Sequence, residues 1–254
     1  MKRTWLKYVL LGLLAYTLAL AVTLPARHAY SLAASRMPKT LPVTLHDLGG
    51  SLWSGRAGTV AWRNTSLGEL QWDLSPWQLV SGRLAAAVQL QDSDSTLTGH
   101  LTLTRDGNAT LREVNARLPA GRLMAFNPGL PIAADGVIAA NLEEAQLSQQ
   151  GAPALRGTIV WSQALLVAGR PLKLGDLKLT LQPGEKGGTS GTLSDAGGPL
   201  EINGTLTLDA NRSYRLDAKL RARPEADAGL GDSLKMLGRP DGRGYYALRY
   251  NGRL

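Results

Sequence analysis

Gly99-His100-Leu101-Thr102-Leu103 and Gly204-Thr205-Leu206-Thr207-Leu208 share one pattern: a glycine, then an apolar residue at every second position. Side chains of an extended chain point alternately to opposite faces. Leu101 and Leu103, or Leu206 and Leu208, therefore fall on one face, while Thr and His take the other. A helical face would instead need apolar residues three and four apart. The same pattern appears in Gly58-Thr-Val60-Ala-Trp62, Gly68-Glu-Leu70-Gln-Trp72-Asp-Leu74, Gly157-Thr-Ile159-Val-Trp161 and Gly175-Asp-Leu177-Lys-Leu179-Thr-Leu181. One apolar and one wet face is the signature of an antiparallel sheet. Glycine at the strand entry permits a turn or bulge without steric cost.

The pattern also repeats at long range. Gly99, Leu101, Leu103, Leu111 and Pro119 lie 105 residues before Gly204, Leu206, Leu208, Leu216 and Pro224. The Gly58 and Gly157 segments match at an offset of 99, and Leu67-Gly68 and Leu174-Gly175 at 107, with the slippage falling in loops. The expected fold is all-β with minor helices: two similar antiparallel β-rich halves, 45–150 and 151–254, forming either one long curved sheet or two packed units. Each half runs through strands to a short helix and a final strand. The helices are expected over Pro119–Phe126 and Pro224–Leu237, each opening on proline. In the second, Leu230, Leu234 and Leu237 share a face, and Gly238 and Pro240 stop it. The final strands are expected at Gly136–Asn141 and Gly244–Asn251.

The N-terminus reads as an address. Lys2, Arg3 and Lys7 make residues 1–7 a basic stub, and Tyr8 to Leu24 follows as an uncharged run. At about 1.5 Å per residue such a run, extended back to Trp5, approaches the roughly 30 Å of a bilayer core. We read residues 8–24 as a transmembrane helix, anchored by Tyr8, Leu11, Leu14, Leu18, Val22 and Leu24. The positive-inside rule leaves the stub cytoplasmic. Residues 25–44 form a membrane-proximal linker, with a turn of helix within Ser31–Thr40. The rival reading is a cleaved leader, since Ala19-Leu20-Ala21 matches a cleavage pattern. The apolar run continues past that site, which favours the anchor.

Chemistry is hard to find in these 254 residues. There is no cysteine, which excludes disulfides and thiol catalysis, and the three histidines, His28, His46 and His100, are scattered. No phosphate-binding loop, dinucleotide fingerprint, nucleophile elbow or zinc-protease motif occurs. Glu143 and Glu144 are adjacent on a strand, so their carboxylates point apart rather than flanking a substrate. The sequence therefore points to no enzyme, no catalytic or metal-ligating residue and no cofactor.

Charge is more informative. The net charge of +8 resides in the stub and in residues 212–254, which hold ten basic and five acidic residues, while residues 8–211 balance. A basic end attracts an acidic partner or anionic headgroups. Nucleic acid is disfavoured, because the chain lies across a membrane and lacks base-stacking motifs. Trp62 and Trp72 share parity with the apolar face, whereas Trp53 and Trp77 sit in turns. Trp53, Trp77, Arg239, Arg243, Arg249 and Arg253 are the candidate partner contacts, since tryptophan and arginine dominate interface hot spots.

In order along the chain, Gly49-Gly50-Ser-Leu-Trp53-Ser-Gly55-Arg-Ala, Trp72-Asp-Leu74-Ser-Pro76-Trp77-Gln-Leu79, Gly82-Arg-Leu84, Leu118-Pro119-Ala, Gly198-Pro199-Leu200, Leu237-Gly238-Arg239-Pro240-Asp241 and Gly244-Tyr-Tyr-Ala-Leu join the basic start and the single span. Together they resemble the type II secretion system protein N family. The resemblance implies a single-pass inner-membrane protein with its bulk in the periplasm. It implies no enzymatic activity, and other secretion components as partners in exporting folded proteins across the outer membrane. The long one-face-apolar sheets also resemble the AsmA and TamB families, which implies the alternative of a lipid-binding module with an open apolar groove.

Overall fold

The computed structural model describes Tyr8, Gly12 and residues 23–34, 43–62, 65–125, 133–149, 151–168, 170–185 and 187–253. The stub and, of the expected anchor, Leu11, Leu14, Leu18 and Val22 lie outside the described residues. Tyr8 is exposed and Leu24 half-buried. Among the described residues no helix is long and apolar enough to cross a membrane.

The period-2 segments are strands, so the body is all-β with minor helices. They are β1 (Val43–Gly50), β2 (Ser54–Trp62), β3 (Thr65–Leu74), β4 (Arg83–Gln91), β5 (Thr96–Thr104), β6 (Ala109–Pro119), β7 (Ala133–Leu147), β8 (Ala154–Ala168), β9 (Arg170–Pro183), β10 (Thr189–Asp195), β11 (Leu200–Leu208), β12 (Ser213–Ala222) and β13 (Tyr246–Arg253). Four helices accompany them among the described residues: α1 (Ala26–Ala34), α2 (Pro76–Val80), α3 (Ala120–Ala125) and α4 (Ala228–Lys235). Strands follow chain order, and the chain forms two compact units, one ending at Asp92 and the other starting at Ser93.

In the first unit β1 to β4 form an antiparallel meander. Leu45 stands opposite Val60, Ala57 opposite Leu70 and Trp72 opposite Val88. Ala57 and Val60 are buried. The Trp72 ring lies over Gly55, where a Cβ would collide with it, and its Nε1 donates to the Leu52 carbonyl at 3.0 Å. Helix α1 rests on β1: Ala26 is buried, and the Leu45 amide donates to the Tyr30 hydroxyl at 3.4 Å.

In the second unit β5 to β13 continue as antiparallel neighbours. The long-range repeat lands on matching hairpins: Leu101 pairs with Leu111 across β5–β6, and Leu206 with Leu216 across β11–β12. The core gathers Ala164, Leu174, Leu200, Ile202, Ala218 and Leu220 beneath Leu230 and Leu234 of α4. No large side chain among the described residues is wholly buried. Polar ties therefore matter. Thr189 is buried, donates through Oγ1 to the Pro153 carbonyl at 2.6 Å and accepts from the Leu155 amide at 3.0 Å. Arg212 donates to the carbonyls of Gln149 and Gly151 at 2.5 and 3.3 Å, joining two turns. Arg223 pairs with Asp195 at 2.6 Å, and the amides of Ile202 and Gly197 donate to the same carboxylate at 3.1 and 3.2 Å.

Several boundaries move. The helical turn expected within Ser31–Thr40 is present over residues 31–34 as the end of α1, which starts earlier, at Ala26, and packs on β1; residues 35–40 lie outside the described residues. Pro119 ends β6, paired with Val137, so α3 starts one residue later. Pro224 opens a turn rather than a helix, and α4 starts at Ala228. Leu237 then falls beyond its end and is 43% exposed. The strand expected at Gly136–Asn141 extends to fifteen residues, because Leu142 to Leu147 pair with β6 on one side and Ala133 to Asp135 with β8 on the other.

Two outcomes follow from this packing. Gly175 has φ +90°, and a Cβ there would lie 2.7 Å from the Gly197 carbonyl and 2.8 Å from the Gly198 Cα. Gly175→Ala should lower stability by roughly 1–3 kcal/mol in urea denaturation; an unchanged midpoint would contradict this account. Burial pushes the Asp195 carboxyl up, but hydrogen bonds from Arg223, Ile202 and Gly197 outweigh it and hold the group below its usual range. A depressed carboxylate contributes stability that is present above its unfolded value of about 3.9 and disappears as pH falls through the folded value. Asp195→Asn should cost roughly 1–3 kcal/mol at neutral pH and should flatten the loss of stability below about pH 4. Equal acid sensitivity of the two proteins, followed by urea denaturation at each pH, would refute it.

Candidate functional site

The basic C-terminal region resolves into a strand and the loop that aims it. After α4 the chain turns at Gly238, whose φ is +126°. Residues 241–245 then close on Asp241. Its carboxylate accepts from the amides of Arg243 and Tyr245, each at 2.9 Å, and its own amide donates to the Tyr245 carbonyl at 2.8 Å. Those amide hydrogen bonds hold the Asp241 carboxyl below its usual range. Tyr245 donates its hydroxyl to Glu201 at 2.7 Å, and Arg221 pairs with the other oxygen of Glu201 at 2.7 Å. The Arg221 guanidinium also sits 4.5 Å from the centre of the Tyr245 ring. The Tyr245 hydrogen bond and the Arg221 pair lower the Glu201 carboxyl, so it stays ionised at neutral pH. This cluster fixes where β13 begins.

Beyond it, β13 pairs residue for residue with β12, from Tyr246 opposite Leu220 to Arg253 opposite Ser213, without a bulge. Alternation separates its faces. Tyr246 and Leu248 pack against the core, and Tyr250 follows them, 61% exposed, with its ring 5.9 Å from that of Tyr214. Ala247, Arg249, Asn251 and Arg253 take the other face and are exposed. On β12 that polar face carries Arg215, Asp217 and Lys219. Arg249 pairs with Asp217 at 3.5 Å. Among the described residues Arg215, Lys219 and Arg253 have no carboxylate within ion-pair distance.

The structure thus brings Arg249 and Arg253 together on one strand face. Arg239 and Arg243 are exposed in the preceding loop, where the Arg243 carbonyl accepts from Arg221. In the first unit Trp53 is half-buried and its carbonyl accepts from the Leu74 amide. Trp77, at the start of α2, is 83% exposed, with Leu79 also exposed. Sequence reasoning missed Arg221, Glu201, Tyr245 and Tyr214. The alternation Arg215-x-Asp217-x-Lys219-x-Arg221 signals a charged strand face, but which residues oppose it depends on register.

A second feature lies in the first unit. Tyr30, Leu45, Leu48, Leu52, Trp72 and Val88, with their neighbours, line an open, almost wholly apolar cavity of about 250 Å³ beside α1. His28, His46 and His100 are exposed, and His100 lies 3.5 Å from Glu113. Glu144 is engaged by Arg112 at 3.5 Å. Among the described residues no group of three or more acidic or histidine side chains is placed to hold a metal ion.

Comparison with known proteins agrees in a single direction. Residues 42–249 match the family model for type II secretion system (T2SS), protein N. The type II secretion system protein N of Aeromonas hydrophila is 31% identical over 96% of this chain and 96% of that protein. The protein of the same name from Vibrio cholerae serotype O1 is 27% identical over 93% of each. That from Pectobacterium carotovorum subsp. carotovorum is 24% identical over 95% of this chain and 94% of its own length. No solved structure matches the chain. With its matched region spanning the strands from β1 into β13, this chain belongs to the type II secretion system protein N family.

Proposed function

We propose that this chain is a non-enzymatic component of the type II secretion system, anchored in the inner membrane with its bulk in the periplasm. It acts through protein–protein contacts in the export of folded proteins across the outer membrane. The observation that carries the contact role is the exposed basic strand β13, held in place by the Asp241 and Glu201 clusters. Exposed Trp77 supplies a further contact point, of the residue type that dominates interface hot spots. Anchoring rests on the uncharged run 8–24 behind the basic stub. The halves 45–150 and 151–254 are read as a duplication, with β2–β6, α3 and β7 corresponding to β8–β12, α4 and β13.

Full-length tagged chain, solubilised from membranes in mild detergent, should co-purify with other secretion components. Trp77→Ala should reduce their recovery about tenfold or more, the effect of losing roughly 2 kcal/mol at a hot spot. Its melting temperature should not change, because the ring is exposed. Purification without any secretion component would refute the proposal.

A second reading is supported by the apolar cavity beside α1: this face takes up a lipid acyl chain. Lipid extraction and mass spectrometry of the purified protein should then find bound lipid. Leu48→Gln should lower the amount roughly tenfold, the effect of removing about 1.5 kcal/mol of apolar contact. Protein free of lipid would dismiss this reading.

A further inference from the structure

A terminal strand presents a row of amides and carbonyls to whatever lies beside it. Natural sheets blunt such edges with short strands, prolines, bulges, charges or a covering element. The two terminal strands of this protein differ in this respect. Just past the end of β1 Pro25 bridges to Ser51 and the Leu52 amide donates to the Leu24 carbonyl at 2.8 Å, and within β1 the Leu45 amide is taken by the Tyr30 hydroxyl. At β13 none of this occurs among the described residues. The strand has eight residues, no proline and no bulge, and among the described residues it pairs only with β12. Its loop is fixed in advance by Asp241 and Tyr245, so its backbone is already extended and little ordering remains for a partner to impose.

The protection that β13 does carry is charge. Arg249 and Arg253 would face like charges if two copies of the strand paired, and Arg215 and Lys219 beside them, which have no carboxylate within ion-pair distance among the described residues, add to that repulsion. The same four cations outnumber the one carboxylate, Asp217, that Arg249 already meets at 3.5 Å, so the face still attracts carboxylates. On the opposite face Leu248 and Tyr250 offer apolar surface at the same edge. We propose that β13 is a docking edge. An extended segment of another secretion component, with acidic residues alternating with apolar ones, adds to the sheet as a further strand. Main-chain hydrogen bonds supply the pairing, the carboxylates meet Arg249 and Arg253, and the apolar residues cover Leu248 and Tyr250. This rests on the interaction role proposed above and adds the chemistry of the partner.

The test uses full-length protein in detergent and three fluorescent peptides. One alternates Glu and Val over eight residues, one has Lys in place of each Glu, and one is the Glu peptide with two residues replaced by Pro. Anisotropy should show the Glu peptide bound, weakening as salt rises, with the other two at least about tenfold weaker. Arg253→Glu combined with Arg215→Glu should weaken the Glu peptide by a similar factor while the melting temperature holds. Hydrogen exchange on binding should slow in residues 246–253. Equal binding of the Pro-interrupted peptide, protection elsewhere, or pairing of β13 with a second copy in ultracentrifugation would overturn the proposal. If secretion components co-purify normally with the double variant, the edge is wrong and the broader role stands. If nothing co-purifies with the wild-type chain, the broader role itself has failed.

Discussion

A sheet with one apolar face must find cover for that face, and the rest of this structure follows from how sparingly the cover is supplied. In the second unit α4 is eight residues long and covers the core with Leu230 and Leu234, while the six-residue α3 buries Ala120. In the first unit α1 buries Ala26 but leaves an apolar cavity open beside Trp72. A core this thin gives no large side chain full burial among the described residues. Stability must then come from continuous ladders between sequence neighbours and from a few polar ties across turns. The Asp195–Arg223 pair, Thr189 and Arg212 tie neighbouring turns together. Pairing between neighbours in the chain also keeps loop-closure costs low, and most of the connections are short, those carrying α3 and α4 being the longest.

The same economy bears on function. A protein with a deep core tends to confine its chemistry to a pocket, whereas a layered sheet exposes faces and edges. What this chain offers to its surroundings is an exposed tryptophan, an apolar cavity and a basic strand edge. These features support the contact role proposed above. Membership of the type II secretion system protein N family, across nearly the whole chain, fits that character.

Much of the local structure was legible because strand periodicity is a short-range signal. Gly99 to Leu103 and Gly204 to Leu208 lie in β5 and β11, and the residues related by the offset of 105 fall in two hairpins, β5–β6 and β11–β12. Helices were less legible. Pro119 was expected to open a helix, but a ladder partner at Val137 kept it in the strand, and Pro224 opened a turn. Leu237 shared a helical face on paper and fell outside the helix in space. Packing also divides the chain at Asp92/Ser93, whereas the repeat in the sequence divides it near residue 150. The long strands β7 and β8 pair on either side of that expected boundary.

The candidate surface shows the same split. Sequence by itself determined that the C-terminal segment is basic, that Arg249 and Arg253 share a strand face, and that an uncharged run follows a basic stub. Each depends only on composition and on a period of two. Tertiary structure alone decided that Glu201 would steady Arg221 and Tyr245 from 20 and 44 residues away. It also decided that Tyr214 would meet Tyr250, that Tyr30 would reach the Leu45 amide of β1, and that β13 would pair with β12 alone among the described residues. Those outcomes depend on register and on which elements come to lie beside one another. Neither is encoded in any short window, because a slip of one residue would send every side chain of a strand to the opposite face.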